Sequence, residues 1–206
     1  MLQIRTIVCG AYAENAYLVS RPNRPDAFLI DPGDALGAIQ RALESSGKSL
    51  GAILLTHGHF DHTLATGPIL DRWPCTVYVH RLDRPMLNDS RLNLYDPAAS
   101  VLPAPEGLCA TEYEETLHMC GVDFSVLQTP GHTPGSVCLY AESQGVLFSG
   151  DTLFEAGYGR VDFPGSSPKD MRASLRMLFQ LPGDTKVYSG HGSATTIGRE
   201  RARYGL

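Results

Sequence analysis

The sequence predicts an α/β fold in which two β-sheets are covered by helices. Short apolar runs of strand character gather in two groups along the chain, and each group is followed by segments of helical periodicity. The chain has 206 residues, enough for one sizeable core and too few for a second domain of useful size, so residues 1–206 are expected to form a single domain. Several of the apolar runs end in histidine or aspartate, where buried strands emerge at the edge of a sheet.

The elements follow in order. Residues 3–10 (QIRTIVCG) and 16–20 (AYLVS) read as strands, and 26–33 (DAFLIDPG) as a third that ends in a turn. Residues 34–47 are helical, with Ala35, Ile39, Ala42 and Leu43 on one face and Gly47 as the stop. Residues 50–57 (LGAILLTH) form a continuous apolar strand buried on both sides, 63–73 a helix, and 75–80 (CTVYVH) a strand. Residues 88–110 are rich in Pro, Ser, Asn and Asp without periodicity and are expected to be a long surface loop, a kind of segment that is often functional. Three short strands follow at 123–131, 136–142 and 145–151. Residues 167–184 form an amphipathic helix with Ser167 or Ser166 as its cap and Pro168 at its first position. A last strand (185–192) and a closing helix (194–206) complete the chain.

Composition narrows the function classes. Hydrophobic residues are 43% and charged ones 19%, ordinary for a globular protein. The net charge of −5 argues against nucleic acid as a partner. No apolar stretch reaches the roughly 18 residues that span a bilayer, and the start lacks the apolar core of a signal peptide. The expectation is a cytoplasmic protein that binds no membrane. Cys9, Cys75, Cys109, Cys120 and Cys138 are odd in number, irregularly spaced and without a C-x-x-C pair, so they are expected to be reduced and mostly buried.

The chemistry concentrates in LLTHGHFDH, residues 54–62. His57, His59 and His62 are neutral nitrogen donors at neutral pH, and Asp61 is an oxygen donor. Side chains alternate along extended backbone, so His57 and His59 point the same way, while Asp61 and His62 lie beyond the turn and reach a second point. Gly58 is expected to leave room for an ion. Metal sites need further ligands, and the chain offers them at later strand ends: His132 in TPGHTPGS, Asp151 in VLFSGD and His191 in KVYSGH. His80 and His118 read as structural or exposed.

THGHFDH followed by GHTPGS, SGDTLF and SGHG resembles the metallo-β-lactamase superfamily over nearly the whole chain, and GYGRVDFPGS and SGHGSATTIGRER resemble the compact bacterial members of its glyoxalase II-like branch. The resemblance implies a four-layer αββα sandwich with two divalent metal ions, zinc first, with iron or manganese compatible. His57, His59 and His132 would hold the first; Asp61, His62 and His191 the second; Asp151 would bridge them. Asp31 in LIDPG would hold a ligand histidine by a hydrogen bond. Arg160 and Asp162 in GRVD would line the groove and meet substrate, or form an ion pair that stiffens the loop.

The activity implied is hydrolysis of a small-molecule thioester such as S-lactoylglutathione by a metal-bridging hydroxide, with Asp61 and Asp151 as catalytic residues. A thiolate leaves readily, its pKa being about 8.5, so no general acid is needed. Two-domain glyoxalase II enzymes grip glutathione with a helical C-terminal domain; this chain stops soon after His191, and the 88–110 loop is the expected replacement wall. The alternative is a mononuclear iron persulfide dioxygenase, whose two-histidine, one-carboxylate set would be His59, His132 and Asp151. A nuclease would call for a basic groove, and a β-lactamase for a signal peptide; neither is seen.

Overall fold

The computed structural model describes residues 1–205 and shows two six-stranded mixed sheets packed face to face, each with helices on its outer side. The first sheet holds β1 (Gln3–Cys9), β2 (Glu14–Ser20), β3 (Asp26–Ile30), β4 (Ser49–Leu54), β5 (Thr76–Val79) and β6 (Thr111–Glu112) in sequence order. Helices α1 (Leu36–Ser46) and α2 (Thr66–Leu70) cover it. The second sheet holds β7 (Thr116–Met119), β8 (Val122–Gln128), β9 (Val137–Ala141), β10 (Val146–Gly150), β11 (Lys186–Ser189) and β12 (Thr195–Thr196), again in sequence order. Helices α3 (Pro168–Leu178) and α4 (Ile197–Arg203) lie behind it. Leu206, the end of the expected closing helix, lies outside the described residues.

Period-two alternation builds the layers. In β3, Ala27 and Leu29 face α1 and α2, while Phe28 and Ile30 face the second sheet. In β9, Cys138 and Tyr140 face α3, while Val137, Leu139 and Ala141 face the first sheet. The central layer is closed by large side chains: Phe28 meets Phe124 edge-on at 5.4 Å, and Tyr17 meets Phe148 at 5.3 Å. Every strand buried on both faces thus needs apolar residues at consecutive positions, which is why β3, β4, β9 and β10 read as unbroken runs.

Several expectations need adjustment. The helix expected over 63–73 is confined to Thr66–Leu70, because a 3₁₀ turn at Phe60–His62 occupies the chain just before it. Helix α1 starts at Leu36 rather than Asp34, whose carboxylate instead accepts the Val101 and Leu102 N–H groups at 2.6 and 3.2 Å. Gly47 ends α1 in the left-handed conformation, as expected. Strand β4 is exposed at Ser49 and Gly51 and doubly buried only from Ala52. Among the cysteines, Cys9, Cys120 and Cys138 are buried, Cys75 is half-buried and Cys109 is exposed; all are free. Among the described residues, no helix is long and apolar enough to cross a membrane.

The two serines offered as caps for α3 have separate duties. The Ser167 hydroxyl accepts the Asp170 N–H at 3.2 Å, and Ser166 Oγ donates to the His132 carbonyl at 2.7 Å. Ser167→Ala is expected to cost about 1 kcal/mol of stability by loss of the cap. Urea unfolding checks this, and a midpoint equal to wild type would refute the cap.

Candidate metal centre

The loops after β4, β8, β10 and β11 meet at one edge of the two sheets. They bring all seven expected ligands together. One nitrogen each of His57, His59 and His132 lies within 4.8 Å of the others, and the same holds for single ligand atoms of Asp61, His62 and His191. Asp151 stands between these groups. Its Oδ1 is 3.4 Å from His62 Nε2, and its Oδ2 is 3.5 Å from His132 Nε2 and 3.7 Å from His191 Nε2. His118 is exposed beside Asp123, and His80 is buried; neither joins the groups.

Four of the five histidines are oriented by their Nδ1 atoms. The Nδ1 atoms of His132 and His191 donate to the carbonyls of Arg160 (2.8 Å) and Tyr12 (3.0 Å). His62 Nδ1 donates to Asp31 Oδ2 at 3.0 Å, and His57 Nδ1 meets Thr56 Oγ1 at 3.1 Å. Thr56 in turn gives its hydroxyl and its N–H to the two Asp31 oxygens, at 2.6 and 2.7 Å. Asp31 thus takes the supporting place expected of it. It lies within reach of His57 and His62 as a third possible ligand group, but its oxygens are already engaged by Thr56 and His62. It does so at φ 46°, a conformation uncommon for a residue with a side chain.

With the Nδ1 atoms engaged, four Nε2 atoms point inward. His59 is the exception: its Nδ1 faces His132 Nε2 at 2.9 Å. His57 Nε2, His62 Nε2 and Asp151 Oδ1 are buried without a hydrogen-bond partner. Orphaned acceptors at this density are costly unless a cation satisfies them. The donor set, five imidazoles and two carboxylates, suits a divalent metal pair.

The electrostatics agree. Burial, reinforced by neighbouring imidazoles, holds His57 far below the usual histidine range, and burial holds His59 down at about 3, so both are neutral ligands at pH 7. Burial also opposes charge on His62, yet Asp61, Asp151 and Asp31 outweigh it and raise its pKa. Burial acts to raise the carboxyl pKa of Asp151 and Asp61, but the surrounding histidines prevail and both are lowered, keeping them ionised. Glu14, fully buried 3.7 Å from His62 Nδ1, has its carboxyl pKa pushed well up by burial.

The centre floors a groove of about 410 Å³. Its walls are mostly aromatic: Tyr12, Phe60, Phe154, Tyr158 and Phe163, with Leu94 from the 88–110 segment. That segment is tied down, since the Phe60 N–H donates to the Asn93 carbonyl (3.0 Å) and the Tyr12 hydroxyl to Asp96 (3.1 Å). It is not purely a surface loop, because Asn93 and Leu108 are buried. Arg160 lines the rim, its guanidinium 4.2 Å from the Phe163 ring centre and paired with Asp162 at 2.8 Å. Asp162 touches that guanidinium and is not among the groove-lining residues, so the ion-pair reading holds for it.

Gly58 has another reason than the one expected. A Cβ there would lie 2.7 Å from Met86 Cβ and 3.0 Å from the Asp83 carbonyl, so the residue admits the 3₁₀ turn Arg84–Asn88 rather than an ion. Sequence reading also missed the aromatic walls, the Tyr12 and Arg160 carbonyls and Asp83. Backbone acceptors leave no residue-type signal, and Asp83 carries no motif around it.

Three known proteins bear on this arrangement. A model of the Metallo-beta-lactamase superfamily matches residues 9–191. The crystal structure of TTHA1623 in a di-iron-bound form is 39% identical, with a TM-score of 0.86 and 97% of each chain covered. That of BLEG-1 B3 metallo-beta-lactamase is 37% identical, with a TM-score of 0.84 and the same coverage. The hydroxyacylglutathione hydrolase GloC of Haemophilus influenzae is 31% identical over 206 residues, spanning 97% of this chain and 95% of that protein.

Proposed function

The chain belongs to the metallo-beta-lactamase superfamily and is built as a metal-dependent hydrolase, and from that premise we propose that it is a thioesterase of the glyoxalase II-like branch, acting on S-lactoylglutathione or a similar 2-hydroxyacyl thioester. The observation that carries this is the position of Asp151, whose carboxylate stands between the two ligand groups, Oδ1 beside His62 and Oδ2 beside both His132 and His191. Such a shared carboxylate belongs to a binuclear centre and favours hydrolysis over a mononuclear oxygenase. Likeness to GloC over nearly its whole length supports the thioester class.

His57, His59 and His132 would hold one ion and Asp61, His62 and His191 the other, with Asp151 between. When bound, the ions supply Lewis acidity to a carbonyl oxygen and bring the pKa of water from 15.7 towards about 7. The chain supplies the remaining parts. Asp61, kept ionised by the histidines around it, would orient the attacking water by accepting a hydrogen bond from it. Phe60, Phe154 and Phe163 present apolar surface beside the centre, suited to the apolar part of a substrate. Arg160 at the rim is the cation available to a substrate carboxylate.

The test is metal content of protein purified without added metal, with the same sample assayed on S-lactoylglutathione, on a chromogenic β-lactam, and on glutathione persulfide under oxygen. The expected result is two metals per chain and thioester cleavage with kcat/KM above about 10⁴ M⁻¹s⁻¹, without oxygen uptake. One iron per chain with oxygen consumption and no thioester cleavage would make it a dioxygenase. Preference for the β-lactam would place its activity with that of BLEG-1 instead.

A further inference from the structure

Asp83 lies outside the ligand set, yet its carboxylate joins the two segments that carry the first ligand group. We propose that Asp83 is the positioning residue of that group, locking the 57–59 segment against the 132–135 segment so that His57, His59 and His132 converge. This rests on the ligand assignment above.

The carboxylate is fully buried and accepts three hydrogen bonds. Its Oδ2 receives the N–H of Gly58 at 3.0 Å, the residue between His57 and His59. The same oxygen receives the Thr133 hydroxyl at 2.6 Å, next to His132. Oδ1 receives the Gly135 N–H at 2.7 Å. The Thr133 loop is braced again from within: its hydroxyl lies 2.7 Å from Ser136 Oγ, and its N–H donates to that oxygen at 3.1 Å.

Asp83 is itself placed by a separate element. It precedes the 3₁₀ turn Arg84–Asn88, and its N–H donates to the His80 carbonyl at 3.0 Å. Two glycines let it approach. A Cβ on Gly135 would lie 2.6 Å from Asp83 Cγ, and one on Gly58 would meet the turn that follows Asp83. The two segments come from different sheets, β4 and β8 respectively, and the carboxylate bonds to both within a residue of their ligands. Nothing in the second group touches it: His62 is turned by Asp31, His191 by the Tyr12 carbonyl, and Asp61 Oδ2 lies against His191 Nε2. A loss at Asp83 should therefore fall on one ion and spare the other.

The test is titration with Co(II), read by its visible absorption, in wild type and Asp83→Asn. An asparagine oxygen can still accept from Gly58 and Thr133, but its amide nitrogen then faces the Gly135 N–H, donor against donor. One of two Co(II) affinities should fall about 10–100-fold, with the other unchanged within about twofold. Repeating the substitution in His191→Ala, which leaves the first group as the intact one, should show the same fall. Thr133→Val removes the hydroxyl's hydrogen bonds to Asp83 and to Ser136 at nearly constant volume and should weaken the same ion, and Thr133→Ser should restore it; this pair decides the matter where Asp83→Asn fails to fold. Equal affinity in the His191→Ala background, equal loss at both ions, or wild-type binding by Thr133→Val would overturn the role. Wild-type protein that takes up no Co(II) would overturn the ligand assignment, and this inference with it.

Discussion

Asp151→Asn is expected to lower kcat/KM by at least about 10³-fold, a barrier increase of about 4 kcal/mol, and to reduce the metal content below two per chain. The substitution keeps the volume and takes away the charge that both ligand groups face. An amide presents one acceptor where the carboxylate has two. Whichever way it turns, an N–H₂ would point either at His62 Nε2 or at His132 and His191 Nε2, where the carboxylate oxygens now stand 3.4 to 3.7 Å away. Gly190 leaves no space for the side chain to rotate out of this conflict: a Cβ on that residue would collide with Asp151 Oδ1 and come within 2.7 Å of His62 Cε1. Steady-state kinetics and metal analysis on one sample check the prediction. A variant that keeps two metals and a tenth of the activity would show that Asp151 does not bridge.

The largest effect on stability is expected at Asp31. In Asp31→Ala the Thr56 N–H, the Thr56 hydroxyl and His62 Nδ1 all lose their partner in a fully buried place. Breaking one side of such a network costs about 3–5 kcal/mol, and alanine is also poorly suited to φ 46°. Against a total stability of about 5–15 kcal/mol, the variant would be marginal. Asp31→Asn should be milder, because asparagine visits the left-handed region more readily and its oxygen still accepts from Thr56. It should instead weaken the ion held by His62 about 10–100-fold. Equilibrium unfolding and metal titration separate the two outcomes, and an alanine variant as stable as wild type would refute the network.

What could be seen in the sequence follows from how each feature is encoded. Strands β2, β3, β4, β9 and β10 were legible because burial on both faces demands apolar runs, and the ligands because His and Asp at strand ends have few other uses. Strand β7 was not, since Leu117 alone among its four residues is buried. Strands β6 and β12, two residues each, carry no periodicity at all. The short α2 was overestimated because 63–73 has helical composition, and nothing in composition reveals the 3₁₀ turn that takes up its start. In the site, side-chain ligands announce themselves by type, whereas the carbonyls of Tyr12 and Arg160 are invisible. Asp83 and Phe163 are ordinary residues made important only by what the fold sets beside them.

The order of strands carries a last consequence. The first sheet is complete at Glu112 and the second begins at Thr116, so the chain is two successive half-proteins laid face to face. Each ligand group draws on both halves: His57 and His59 with His132, Asp61 and His62 with His191. A bound ion is therefore a staple across the seam, and its affinity counts towards holding the halves together. At a thousandfold excess over its dissociation constant, one such ion adds about 4 kcal/mol to the folded state. Supply of metal would then bear on how firmly the halves are held as well as on turnover, and a chelator is expected to lower the midpoint of thermal unfolding of the metal-loaded protein.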